Sequence, residues 1–212
     1  MSGRPLSGLF VCEGTSDQPL ADIVEYLFVE RDVTLRLSRP DFSVMDRVGR
    51  DVGSKLLTGS RLMGKPIDVA VVHRDADSAG RDSRCNEIQR AVEASEIGCN
   101  FVPIIPVKMT EAWLLLNERE IRIVAGNPNG RDDISLPRAS EVERIADPKH
   151  RLQDCLSRAA SARGRRRDTI SKRFPQHRRQ LLERLNLHGP ITTLSSWRAL
   201  VQDIEEFISN LS

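Results

Sequence analysis

The sequence predicts an α/β domain built on a mostly parallel sheet and followed by a basic helical C-terminal extension. Three observations predict it. Short, largely apolar runs at 8–12, 67–72 and 100–107 read as strands buried on both faces, the pattern of parallel sheets. Longer amphipathic stretches separate them, giving the strand–helix alternation of α/β proteins. From about Arg138 onward only helical signals remain, and the charge turns basic.

Taken in order, Gly8–Cys12 forms the first strand and ends at Glu13-Gly14. Ser16 is placed to cap a helix whose apolar positions, Leu20, Ile23, Val24 and Leu27, fit helical spacing. Residues 33–37 alternate apolar and polar, as a strand with one solvated face does. Ser43 to about Leu57 reads as a helix. Ile67–Val72 is the second strongly buried strand and runs into His73-Arg-Asp-Ala-Asp77. A helix over 82–97 places Ile88, Val92 and Ile97 on one side, and 100–107 is the third buried strand. Residues 110–124, with Trp113, Leu114 and Leu115, read as a helix, and 127–133 as a turn-rich loop. Later helical signals are broken at Pro148, Pro175 and Gly189-Pro190, and 195–211 closes the chain as an amphipathic helix. The reading divides the chain into an α/β domain, 1–126, and an Arg-rich helical extension, 127–212, able to pack on the same core.

Composition sets the outer bounds. The chain has 212 residues, 39% of them hydrophobic, enough for a core and too much for wholesale disorder. Its 32 Lys+Arg nearly cancel 30 Asp+Glu, but the total hides a separation. Between Lys149 and Arg184 twelve Lys/Arg face only Asp154, Asp168 and Glu183, an excess of +9, so the other residues carry −7. Cys12, Cys85, Cys99 and Cys155 have neither C-x-x-C nor zinc-ligand spacing. No apolar run has the length of a signal peptide or membrane span, so a cytoplasmic protein without a membrane partner is expected. Gly59–Pro66 nearly spells a phosphate-binding loop but lacks the hydroxyl after its lysine and precedes a strand, so ATP binding is not expected.

The acids fall where chemistry is expected. Ligands of open parallel sheets gather at the carboxyl ends of the strands. Glu13 follows the first buried strand, and Asp75 and Asp77 follow the second. If those strands are neighbours, three carboxylates converge, and a divalent cation or a raised pKa must relieve the repulsion. Hard oxygen donors suit Mg²⁺ or Mn²⁺.

Glu13-Gly-Thr-Ser-Asp17 after a strand, followed by Asp75-Ala-Asp-Ser-Ala-Gly80 after a later one, resembles the paired motifs of the Toprim fold. The acid four residues after the Glu is similar to the OLD-type nucleases. Glu111-Ala-Trp-Leu-Leu115 resembles small stand-alone Toprim-like proteins of bacterial defence loci. The resemblance covers roughly residues 6 to 125. It implies a three-layer Toprim-like domain and metal-dependent phosphodiester hydrolysis of DNA or RNA, with one or two Mg²⁺ or Mn²⁺ ions. Glu13 would be a metal ligand or general base. Asp17, Asp75 and Asp77 would be metal ligands, with Glu111 a further one. Gly14 and Gly80 would allow tight turns behind the ligands, and Lys108 would be the basic residue beside the metals. The resemblance also implies a role in antiviral defence under an ATPase partner and leaves room for a homo-oligomer. Tyr26, the one tyrosine, falls inside a predicted helix, which argues against topoisomerase-type strand passage.

The basic segment complements this site. Arg163, Arg165, Arg166, Arg167, Lys172, Arg173, Arg178 and Arg179 are expected to hold nucleic-acid phosphates, arginine being suited to bidentate contacts. Only Phe174 interrupts them as an aromatic, so base stacking finds no support there. Two alternatives stay open: a non-catalytic subunit that binds nucleic acid or protein, and a D-x-D phosphatase or phosphotransferase using Asp75 as nucleophile.

Overall fold

Parallel strands cannot be joined by tight hairpins, so each pairing forces a crossover, usually helical. The computed structural model describes residues 4–161 and 165–211. They form two compact units, one of residues up to Ile105 together with those from Arg198 on, the other of Pro106–Trp197. The sequence reading placed one boundary, at 126/127. The earlier break follows from Glu111–Val124, whose two short helices pack on later helices of the second unit.

In the first unit the strands are β1 (Leu6–Val11), β2 (Leu35–Ser38), β3 (Val69–His73) and β4 (Asn100–Ile104). They form one all-parallel sheet in the order β2-β1-β3-β4. The helices are α1 (Pro19–Val29), α2 (Val52–Met63) and α3 (Arg81–Ala94). The chain moves from β1 to β2 in one direction, then back past β1 to β3 and on to β4. Because such crossovers are right-handed, α1 covers one face and α2 and α3 the other. The core agrees: Leu9, Val11, Ala70 and Val72 of the sheet pack with Val52 and Leu56 of α2 and Ile88 and Val92 of α3. Phe10, Val69 and Val71 alternate to the opposite face and are fully buried. The last helix, α9 (Ser195–Ser209), belongs to this unit from Arg198 on, and its Phe207 meets Phe28 of α1 with ring centroids 5.8 Å apart.

Local side chains move several expected boundaries. The helix after β1 begins at Pro19 with Gln18 as its cap, and Ser16 lies in a preceding 3-10 turn, Thr15–Asp17. No helix occupies residues 45–51. Asp41 accepts from Ser43 N at 2.9 Å and holds a 3-10 turn, while Asp51 accepts from Ser54 N at 2.8 Å and starts α2 later. Such short-range hydrogen bonds compete with helix propagation. Gly64, at φ +58°, ends α2 in the left-handed conformation.

The second unit is helical among the described residues. The expected helix over 110–124 is two, α4 (Glu111–Leu114) and α5 (Glu118–Val124), because the Asn117 side chain caps Glu120 N at 3.3 Å. Pro148 and Pro175 start α6 (Pro148–Ala159) and α8 (Phe174–Glu183), where proline's missing N–H costs nothing. Pro190 likewise starts a 3-10 turn. Between them lies α7 (Arg165–Lys172). Trp113 and Trp197 meet edge to face, centroids 5.4 Å apart. The Trp113 indole donates to Ser196 Oγ at 2.8 Å, and that hydroxyl donates to Glu143 Oε1 at 2.6 Å. Ser196 N, Ser195 N and Ser195 Oγ complete the cradle around the Glu143 carboxylate. Among the described residues no helix is long and apolar enough to cross a membrane.

Two outcomes test this packing. A Cβ on Gly59 of α2 would lie 2.7 Å from Leu9 Cδ1, whereas one on Gly53 meets nothing closer than 3.4 Å. Gly59→Val should therefore lower the unfolding free energy by about 1–3 kcal/mol, while Gly53→Ala should be neutral or stabilising by up to about 1 kcal/mol. Urea denaturation checks both, and equal losses would refute the close approach of α2 to β1.

Burial pushes the Glu143 carboxyl up, but its hydrogen bonds from Ser196 and Ser195 outweigh this and hold it below the usual glutamate range. Its stabilisation is thus present above that range and is lost as pH falls through the lowered folded value. Glu143→Gln should be less stable than wild type at neutral pH, and the gap should close below about pH 4.3. Thermal unfolding across that range measures it, and a constant gap would sink the assignment.

Candidate functional site

The condition set by the sequence is met: β1 and β3 are neighbours, with Val11 level with Val72. The direction of winding reverses at β1, so the carboxyl ends of β1 and β3 flank the crevice where open α/β sheets bind ligands. Glu13 leaves the first strand there, and Asp75 and Asp77 leave the second. The Asp75 backbone N–H donates to Glu13 Oε1 at 3.3 Å, tying the two strand ends together.

Each carboxylate has a defined setting. Asp17 is buried in the turn before α1, and its Oδ2 accepts from Gly14 N at 3.2 Å. Asp75 is buried at the end of β3. His73, on the sheet face of Val69 and Val71, places its imidazole between these two acids, Nδ1 3.9 Å from Asp17 Oδ2 and Nε2 3.4 Å from Asp75 Oδ1. Asp77 has a left-handed backbone, φ +49°, which redirects the chain behind β3. Gly80, at φ +81°, supports the expectation that glycine eases the turn into α3. Gly14 does not, since its φ of −143° is extended and open to any residue.

Arginines interleave with the more exposed acids. Glu13 Oε1 pairs with Arg74 Nη1 at 2.8 Å, and Arg74 Nε with Glu87 Oε1 at 3.1 Å. Arg84 then joins Glu87 at 2.7 Å to Asp77 at 3.2 Å and donates from Nε to the Asp75 carbonyl at 3.0 Å. The hydrogen bond to Glu87 raises the Arg84 pKa, keeping this link of the chain cationic. Behind the strand, the buried Lys55 of α2 donates to the carbonyls of Cys12 at 2.7 Å and Glu13 at 3.3 Å.

Sequence reasoning missed Lys55, Arg74 and Arg84. Lys55 left a signal, since Val52, Lys55, Leu56 and Gly59 form one buried stripe at helical spacing, and a lysine in such a stripe asks for an acceptor. Arg74 left none, because its partner Glu13 lies at the end of another strand, whereas Arg84 meets Asp77 and Glu87 within the stretch from β3 through α3.

The remaining expected residues belong to the second unit. Lys108 is partly buried with φ +61°. Glu111 is buried at the start of α4, and its Oε1 accepts from Arg178 Nε at 3.0 Å. Arg178 therefore departs from the expected phosphate-facing row: it is buried on α8. Lys172, Arg173 and Arg179 are exposed, Arg179 pairing with Glu183 at 3.0 Å. Arg163 lies outside the described residues, as do the side chains of Arg165, Arg166 and Arg167. None of the four cysteines is disulfide-bonded, and burial pushes the Cys99 thiol up to about 11, away from nucleophilic use.

A cleft of about 600 Å³ opens beside Glu13, bounded by the residues after β1 and the 40–50 segment. The carboxylate oxygens at the strand ends are donors of the kind Mg²⁺ and Mn²⁺ prefer, two of them on buried aspartates. Among the described residues, however, no three His, Cys, Asp or Glu side chains are arranged to hold a metal ion. Glu13 and Asp77 would have to exchange their arginine partners to join one.

Lys55 supplies a direct test. Lys55→Met leaves two carbonyls at the end of β1 without their charged donor and should cost about 1–3 kcal/mol in urea unfolding. A loss below about 0.5 kcal/mol, the scale of an ordinary surface change, would show that the ammonium does not fix the strand end. Compared with known proteins, the chain matches no family model, no curated protein and no solved structure.

Proposed function

We propose that the chain is a Toprim-type nuclease dependent on Mg²⁺ or Mn²⁺, hydrolysing phosphodiester bonds of DNA or RNA. One observation carries the reading: adjacent parallel pairing of β1 and β3 puts Glu13, Asp75 and Asp77 at the switch point of the sheet, with Glu13 bonded to the Asp75 backbone. A bound divalent ion would neutralise charge at phosphorus and make an attacking water more acidic. Asp17, Asp75 and Asp77 would hold it, and Glu13 would be a further ligand or take the proton of the water. The turn around Gly14 fixes Asp17, and Lys55 fixes the backbone that carries Glu13. Arg74 and Arg84 can trade carboxylate for phosphate oxygens when the strand arrives. Lys172, Arg173 and Arg179, exposed on the second unit, would hold phosphates of the nucleic acid. A cytoplasmic location, an ATPase partner and an antiviral role belong to this proposal through the resemblance.

A second reading draws on the arginines. Glu13 and Asp77 are already neutralised by Arg74 and Arg84, as suits a non-catalytic, nucleic-acid-binding subunit that needs no metal.

Cleavage of DNA and RNA panels with Mg²⁺ or Mn²⁺ tests the first reading, Mn²⁺ titration by calorimetry serving as a second readout independent of any partner. Glu13→Gln and Asp75→Asn should each lower cleavage at least about a hundredfold, and Asp75→Asn should abolish Mn²⁺ binding. Undiminished cleavage in both variants, or nucleic-acid binding indifferent to chelator with no Mn²⁺ bound, would give the second reading the site.

A further inference from the structure

The cleft beside Glu13 has a chemistry of its own. Three apolar side chains, Phe42, Met45 and Val48, from the segment between β2 and α2, line it. The Phe42 ring also packs on the core of the first unit, so its position is set by burial on its far side. Three cations, Arg50, Lys55 and Arg74, also line the cleft. Its acids are already engaged. Asp41 accepts from Ser43 N and Oγ, at 2.9 and 2.5 Å, and Glu13 pairs with Arg74.

The cleft is built in advance of any ligand. Asp41 holds one end of the 41–51 segment through Ser43, and Asp51 holds the other through Ser54 N and Oγ, at 2.8 and 2.7 Å. Hydrogen bonds from these serine groups keep both aspartates below their ordinary pKa, so both caps persist at neutral pH. A volume of about 600 Å³ falls in the usual range for small-molecule sites, about 300–1,000 Å³. Three apolar side chains and three cations lining a space of that size match a ligand with a flat apolar part and an anionic part.

We propose that this cleft binds one nucleoside phosphate unit, its base against Phe42, Met45 and Val48 and its phosphate against Arg50 and Arg74. The unit is either a free nucleotide or one residue of a single strand whose next phosphate lies at the Glu13 strand end. In the second case the site extends the nuclease reading and rests on it, supplying the aromatic platform that the basic segment lacks. Lys55 is committed to the strand-end carbonyls, so it contributes field more than contact.

The experiment is calorimetric titration of the full chain in chelator, where no metal chemistry operates, so its failure is separate from a failure to cleave. The probes are adenosine and uridine 5′-monophosphate, the two nucleosides, inorganic phosphate, and a short oligothymidylate. The monophosphates should bind at least about tenfold tighter than either nucleosides or phosphate. Arg50→Ala should erase the advantage over nucleosides. Phe42→Ala should weaken binding by about 5–150-fold, the range of base–aromatic stacking. Oligothymidylate binding tighter than the monophosphates assigns the site to a strand, and the reverse assigns it to a free nucleotide. No monophosphate binding, phosphate alone binding equally well, or affinities unchanged in both variants would overturn the proposal.

Discussion

The parallel pairing of β1 on both of its edges is the constraint on which the first unit depends. A strand with parallel neighbours on each side is covered on both faces by crossovers, which is why Leu9, Phe10 and Val11 are all buried although they alternate between faces. Winding must leave β1 in one direction and return past it in the other, so the connections after β1 and β3 diverge and open a crevice. Because the strands themselves carry so little that is polar, the first charged groups the chain can offer are those just beyond the strand ends. Glu13, Arg74, Asp75 and Asp77 occupy those positions.

Concentrating acids there needs compensation, which comes from three directions. Lys55 reaches in from α2, Arg84 from the first turn of α3, and Arg74 from the strand end itself. The alternation Glu13–Arg74–Glu87–Arg84–Asp77 leaves no two of its carboxylates consecutive. Its members are partly solvated, where single ion pairs are worth about 0–1 kcal/mol, so each can be exchanged at modest cost. Asp17 and Asp75 are different, being buried around His73. The acids beyond β1 and β3 thus divide into a buried inner pair and a partly solvated outer pair held by exchangeable arginines.

The sheet was legible in the sequence because buried parallel strands are apolar on both faces, and 8–12, 67–72 and 100–107 stand out for that reason. Their adjacency was not, since nothing local in Val69–His73 says which strand it pairs with. Helix boundaries were misread where one side chain decides them: Asp41, Asp51 and Asn117 each capture a backbone N–H and shift the start of an element by several residues. The acids of the site were readable as motif positions, whereas Arg74 and Arg84 acquire meaning only through a partner 61 and 7 residues away. Lys55 falls between these cases, a charge conspicuous on a buried stripe whose acceptors come from another element.

The basic segment shows that part of a local charge excess can serve packing. Arg151 donates to the Ser135 carbonyl at 2.6 Å, Arg184 pairs with Glu120 at 3.2 Å, and Arg178 is buried against Glu111. These contacts fasten elements of the second unit, with Arg178 buried and Arg184 still half exposed. Glu111 holds Arg178 through Oε1 at 3.0 Å, and stranding one partner of a buried ion pair costs about 3–5 kcal/mol. Exchanging the solvated Glu13–Arg74 or Asp77–Arg84 pairs costs far less. The buried pair is therefore a fixed contact of the second unit, whereas the exchangeable pairs lie at the strand ends of the first.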